Sequence, residues 1–170
     1  YESKTDGLSK SIREQVEFTI GLADIVIVVI DVTVGAQGDD EVLIGLCRKS
    51  KKPLILVANK VDDEAKELSV GSLWNLGVGE PCPVSALHGR GSGELLDKIV
   101  ESIETINPST LIHTNIPRIS LVGRPNVGKS SLLNQLTKSQ RAVVHEVAGT
   151  TVDPIDEKVT LGDRDWMFVD

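Results

Sequence analysis

The chain has 170 residues, 40% of them hydrophobic, and a formal net charge of −7 at pH 7. That is enough for one well-buried domain or for two incomplete ones. The acidic balance argues against broad electrostatic binding to nucleic acid, DNA included, and the 3% aromatic content argues against a base-stacking platform. Cys47 and Cys82 are only two and far apart, which suits a reducing cytosol better than a disulfide framework or a zinc site. The longest aliphatic run, Ile25 to Ile30, is too short to cross a bilayer.

In chain order, Leu8, Ile12, Val16 and Ile20 recur every fourth residue and predict an opening helix with one apolar face. Ile25 to Ile30, ending at Asp31, reads as a strand covered on both faces. Asp39-Asp40-Glu41 supplies the acidic first turn of a second helix. Leu54 to Ala58 is the next buried strand and ends at Asn59-Lys60-Val61-Asp62. A charged segment from Asp63 to Glu67 then leads through Trp74 to a short strand, Cys82-Pro83-Val84. Leu95, Leu96, Ile99, Val100 and Ile103 mark an amphipathic helix. From Asn107 to Pro117 periodicity is lost and Pro, Asn and Thr accumulate, which predicts a linker. A strand at Ile119 to Val122, a helix from Ser131 to Leu136 and a polar stretch through Thr151 follow. A hairpin closes the chain: Lys158 to Leu161, a turn near Gly162-Asp163, and Trp166 to Asp170. Strands alternating with helices predict an α/β fold, a mostly parallel sheet with helices on both faces.

The most informative motif is Gly123-Arg124-Pro125-Asn126-Val127-Gly128-Lys129-Ser130-Ser131, set between that strand and that helix. Gly123 and Gly128 let the backbone curl so that successive N–H groups converge on an anion. The helix N-terminus adds partial positive charge, and Lys129 brings a full one to the β- and γ-phosphates of a nucleotide. The Ser130 hydroxyl is placed to hold Mg²⁺.

Asn59-Lys60-Val61-Asp62 follows the C-terminal end of a buried strand, where open α/β sheets place their ligands. The Asp62 carboxylate can accept from the adjacent N1–H and N2–H₂ of guanine, a donor pair that adenine lacks. Lys60 can lay its stem along the base, and the Asn59 amide can tie this turn to the phosphate loop. After the next strand comes Ser85-Ala86-Leu87, where the Ala86 N–H is expected to meet guanine O6. Thr150 or Thr151 can complete a Mg²⁺ shell while a γ-phosphate is present and release it afterwards. Asp170 ends a strand where a carboxylate would orient the metal's water shell. His88, His113 and His145 show no ligand spacing, and Cys47 reads as core.

Together with Val147-Ala148-Gly149-Thr150-Thr151 and Pro83-Val84-Ser85-Ala86-Leu87-His88-Gly89-Arg90-Gly91, these motifs resemble the translation-factor-like P-loop GTPases, most closely the tandem-G-domain Der (EngA) family. The similarity spans essentially the whole chain. It implies GTP/GDP as ligand, Mg²⁺, GTP hydrolysis, a cytoplasmic location and assembly of the large ribosomal subunit, with ribosomal RNA and proteins as partners of the intact parent and no membrane. Asn126 resembles the asparagine of potassium-dependent members, implying K⁺ at that position. Val152 stands where that family commonly has arginine.

The motif order departs from an ordinary G domain, because Asn-Lys-x-Asp and Ser-Ala precede the phosphate loop. The resemblance implies residues 1–106 as the C-terminal half of a first G domain, 107–117 as linker and 118–170 as the N-terminal half of a second, with Tyr1 and Asp170 each at an Asp-x-x-Gly boundary. A naturally permuted GTPase and a ribosome-binding module without turnover are the alternatives. The linker reaches roughly 35 Å when extended, enough for the two halves to close as one permuted domain rather than leave two open sheet edges in water.

Overall fold

The computed structural model describes residues 10–106, 116–138, 142–145, 157–161 and 164–169. Residues 107–115 of the expected linker (107–117), Leu8, Val147 to Val152, the turn at Gly162-Asp163, His113, Tyr1 and Asp170 lie outside these residues. In chain order the elements are α1 (Lys10–Leu22), β1 (Ile25–Asp31), α2 (Gly38–Lys49), β2 (Leu54–Asn59), α3 (Glu64–Val70) running into a 3₁₀ turn (Gly71–Leu76), and β3 (Cys82–Pro83). Then come α4 (Ser92–Glu104), β4 (Arg118–Val122), α5 (Lys129–Thr137), β5 (Ala142–His145), β6 (Glu157–Leu161) and β7 (Arg164–Val169).

The described strands form one seven-stranded sheet in the order β3-β2-β1-β4-β7-β6-β5. The pairs from β3 across to β7 are parallel, and β6 and β5 add antiparallel strands at one edge. The expected fold class is therefore present, and the sheet is continuous across the break in motif order. β1 runs parallel to β4 with Ile25 opposite Ile119 and Val28 opposite Val122. At the start of this seam the Asp24 N–H donates to the Arg118 carbonyl at 2.7 Å, and the Arg118 N–H donates to Asp24 Oδ2 at 2.9 Å.

The unbroken aliphatic run of β1 is explained by its central place. Ile25, Ile27 and Val29 enter the core beneath α4 and α5, with Leu95, Ile99, Leu132, Leu136, Trp166 and Phe168. Val26, Val28 and Ile30 enter the core beneath α1, α2 and α3, with Ile20, Leu43, Ile44, Cys47 and Leu73. Burying both faces of a parallel strand requires apolar residues at successive positions rather than alternation. Cys47 is core, as expected, and burial pushes its thiol up to about 12. Pro83 is tolerated because β3 is an edge strand, where a missing N–H costs no ladder bond.

Two elements go beyond the sequence reading. Asp63 to Glu67 is not merely a charged segment: Asp63 caps α3 by accepting the Lys66 N–H at 2.9 Å. The polar stretch after α5 contains β5, which is held by pairing with β6, Val144 opposite Val159. Among the described residues, the buried side-chain polar atoms without a hydrogen-bond partner are Ser120 Oγ and Trp166 Nε1.

Candidate functional site

β4 delivers the chain into the glycine-bounded loop, and α5 begins directly at Lys129. Both ends of the loop require glycine for a stated contact. A Cβ on Gly123 would lie 2.5 Å from the Val29 carbonyl oxygen of β1. At Gly128, φ is +100° and a Cβ would lie 2.2 Å from Asn59 Nδ2. Val127 is buried in the core beneath α5 and anchors the loop between them. Asn126 takes φ of 64°, a left-handed conformation asparagine tolerates, and is exposed, as are Pro125, Ser130 and Ser131. Lys129 Nζ donates to the carbonyls of Gly123 and Arg124, each at 3.0 Å, so its ammonium lies over the loop. Loop amides, a helix N-terminus and an ammonium form a donor set that suits a phosphate chain, and the glycine cradle leaves the backbone open to it.

The Asn-Lys-x-Asp turn is docked onto this loop. Asn59, fully buried at the end of β2, donates through Nδ2 to the Val127 carbonyl at 2.8 Å. Its Oδ1 accepts the Ala86 N–H at 3.0 Å. One carboxamide thus joins three segments: the end of β2, the phosphate loop and the turn after β3. The tie expected of Asn59 is present. The Ala86 N–H, expected to face guanine O6, is instead given to Asn59, because a buried amide takes the acceptor within reach. Val61 is buried, and its N–H donates to the Val84 carbonyl at 3.1 Å.

Asp62 Oδ1 accepts the Ser85 hydroxyl at 2.7 Å and Oδ2 accepts Lys66 Nζ at 2.7 Å. Lys66, then Ser85, hold this carboxyl below the usual carboxylate range, so it presents a charged double acceptor at neutral pH. Lys60 takes φ of 69°, and its Nζ lies 2.6 Å from Asp31 Oδ2. Thr33 donates to the other Asp31 oxygen through its N–H (2.9 Å) and its hydroxyl (2.6 Å). Burial raises the Asp31 carboxyl, but Lys60 and Thr33 outweigh it and hold the group low. The Lys60 charge is therefore committed to Asp31, which leaves only its stem to meet a base.

The Arg124 side chain, for which the sequence reading made no assignment, has partners outside the loop. Its side chain turns to α2, where Nε lies 3.0 and 2.9 Å from the two oxygens of Asp40 and Nη2 donates to the Gly35 carbonyl at 3.3 Å. Only its backbone faces Lys129. Thr150, Thr151 and Asp170 lie outside the described residues, and among the described residues no group of three or more His, Cys, Asp or Glu could hold a metal.

A strand, a glycine-bounded loop closed by Lys-Ser, and a helix, with an Asn-Lys-x-Asp turn two strands away docked onto the loop, define the class of P-loop GTPases. Residues 12–105 match the family described as elongation factor Tu GTP binding domain, and residues 118–170 match the family described as 50S ribosome-binding GTPase. By the match over residues 12–105 the chain belongs to the family described as elongation factor Tu GTP binding domain. It is similar along its whole length to proteins named GTPase Der. The identity is 51% over 171 residues with that of Leifsonia xyli, covering 100% of this chain and 36% of that protein. For the Paenarthrobacter aurescens relative it is 51% over 172 residues, covering 100% and 35%. For that of Mycobacterium leprae it is 48% over 170 residues, covering 100% and 37%. The chain spans about a third of the length of these curated relatives. Among the described residues no helix is long and apolar enough to cross a membrane.

Proposed function

We propose that the chain is the junction of two G domains of a Der-type GTPase that acts in the cytoplasm in assembly of the large ribosomal subunit, with no DNA or membrane partner. Residues 1–106 are the later half of one G domain, 107–117 the linker and 118–170 the earlier half of the next. Gly123 through Ser131 bind the phosphates, and Lys129 stabilises charge on the β- and γ-oxygens. Ser130 and Thr151 hold Mg²⁺, Asp170 orients its shell, and Asn126 binds K⁺. Bound Mg²⁺ and K⁺ supply positive charge where negative charge grows on the phosphates. Asn59, Lys60, Val61, Asp62, Ser85 and Ala86 build the guanine-reading side. Asn59 orders the turn, Ser85 orients Asp62, and Asp62 accepts from the base.

The observation that carries the nucleotide-binding part of this assignment is the Asn59–Val127 hydrogen bond, which holds the base-reading turn against the phosphate loop within this chain, whereas in the intact parent the two segments would belong to different G domains. The parallel pairing of β1 with β4 favours a second possibility for the isolated chain, a single nucleotide site formed by its two halves as in a permuted G domain. Binding of GDP, ADP and xanthosine diphosphate to the chain and to Asp62→Asn is the test. Replacing a double acceptor by an amide that also carries donors should lower the GDP preference and admit the xanthine nucleotide. An unchanged preference removes Asp62 from the site, and equal affinity for adenine and guanine nucleotides removes the guanine assignment.

A further inference from the structure

Asp40 and Arg124 stand 84 positions apart in sequence and share no motif, yet they meet in a protected ion pair. Asp40 lies in the first turn of α2 with its side chain fully buried, while that of Arg124 is 22% exposed. The Arg124 Nε engages both carboxylate oxygens at 3.0 and 2.9 Å. The carboxylate is fixed on its own side as well, because Oδ2 accepts the Gln37 N–H at 2.9 Å. Arg124 Nη2 reaches the Gly35 carbonyl in the loop before the same helix. The guanidinium is thus bolted to the start of α2 at two levels.

The other end of Arg124 is its backbone, and its carbonyl and that of Gly123 both accept from the Lys129 ammonium. Gly123 is pinned against Val29 by the close approach of the two backbones. Releasing the guanidinium from α2 would remove the anchor that fixes residue 124 and leave its carbonyl, one acceptor of the Lys129 ammonium, less firmly placed. We propose that Asp40 is a positioning residue for the phosphate loop, acting through the Arg124 guanidinium on the Lys129 ammonium. The proposal rests on Gly123–Ser131 being the phosphate loop. It makes the aim of Lys129 depend on where α2 starts, so a shift of α2 changes phosphate affinity without touching the nucleotide. Stability alone gives little reason for such a pair, since replacing a buried ion pair with apolar residues of similar volume is often neutral or stabilising. A planar guanidinium that gives Nε to a fixed carboxylate and Nη2 to the Gly35 carbonyl is held in one direction, which a single-point ammonium is not.

The test measures binding of fluorescent GDP and of a non-hydrolysable GTP analogue to the 170-residue chain. The variants are Arg124→Lys, which keeps the charge and the stem but loses the fork, and Asp40→Asn, each also made in a Lys129→Met background. We expect each single variant to weaken both nucleotides about tenfold, with the preference for guanine over xanthine unchanged because the base-reading turn is untouched. In the Lys129→Met background neither should weaken binding further. Parental affinity in Arg124→Lys overturns the proposal. So does an equal loss in both backgrounds, since a pair that merely supports the fold does not need Lys129 to be felt. If Asp40→Asn fails to fold, the Arg124→Lys cycle decides. Parental affinity in Lys129→Met itself refutes the phosphate-loop assignment instead.

Discussion

The carboxamide of Asn59 reaches the carbonyl of Val127 at 2.8 Å, across 68 residues of sequence. Val127 belongs to the loop that would cradle phosphates, and Asn59 opens the turn that would read the base. Because Asn59 is buried and also accepts the Ala86 N–H, both bonds are sheltered from competing water. Base recognition and phosphate binding by this chain would therefore share one structural joint.

Asn59→Ala cuts that joint. It leaves the Val127 carbonyl and the Ala86 N–H without their partner in a buried setting, which costs about 2–4 kcal/mol. Urea denaturation should show a lower midpoint with an unchanged slope, and nucleotide affinity should fall for GDP and xanthosine diphosphate alike. A midpoint within error of the parent's would mean the two groups find other partners.

Gly128→Ala tests the same joint from the other side. The new Cβ would lie 2.2 Å from Asn59 Nδ2 at a φ of +100°, adding a clash to about 1–3 kcal/mol of backbone strain. Loss of stability and of nucleotide binding together is the expected result. Asn59→Ala should relieve part of the clash, so a double variant no worse than Gly128→Ala alone is the signature to look for in thermal melts.

Ser120→Ala should act in the opposite direction. The Ser120 hydroxyl is buried in β4 without a hydrogen-bond partner, so removing it recovers about 1 kcal/mol of desolvation cost. A stabilised chain by calorimetry is expected, and a destabilised one would show that the hydroxyl is satisfied in solution.

Acid sensitivity should track the Asp31–Lys60 pair. The folded carboxyl is held below its usual value, so its contribution is fully present above the unfolded carboxyl's pKa of about 3.9 and is lost as pH falls through the lower folded value. Lys60→Met should cost about 1 kcal/mol at pH 7, and the gap from the parent should narrow below pH 4. A gap that stays constant between pH 7 and pH 3 would remove the carboxylate from the effect.

Potassium dependence is checked in the intact tandem protein. GTP hydrolysis by its second G domain should be faster in K⁺ than in Na⁺, and Asn126→Ala should erase the difference. Equal rates in the two salts would end the K⁺ assignment. GDP affinity serves as the control, because alanine at a φ of 64° carries about 1–2 kcal/mol of its own strain.

The sequence by itself determined the local units. Ile25 to Ile30 reads as a doubly covered strand, and Gly123 to Ser131 between a strand and a helix has the pattern of a phosphate loop, because periodicity and glycine placement act over a few residues. The start of α2 was legible from Asp39-Asp40-Glu41 for the same reason, whereas α3 is too short to show a periodic face. Tertiary structure decided which strands are neighbours and therefore what each polar group is given. The pairing of β1 with β4 puts Asp40 within reach of Arg124 and Asn59 within reach of Val127. The pairing of β1 with β2 and of β2 with β3 leaves the Ala86 N–H to Asn59 and the Lys60 charge to Asp31. No spacing rule carries such information, since a buried donor takes whichever acceptor the packing of distant segments brings beside it.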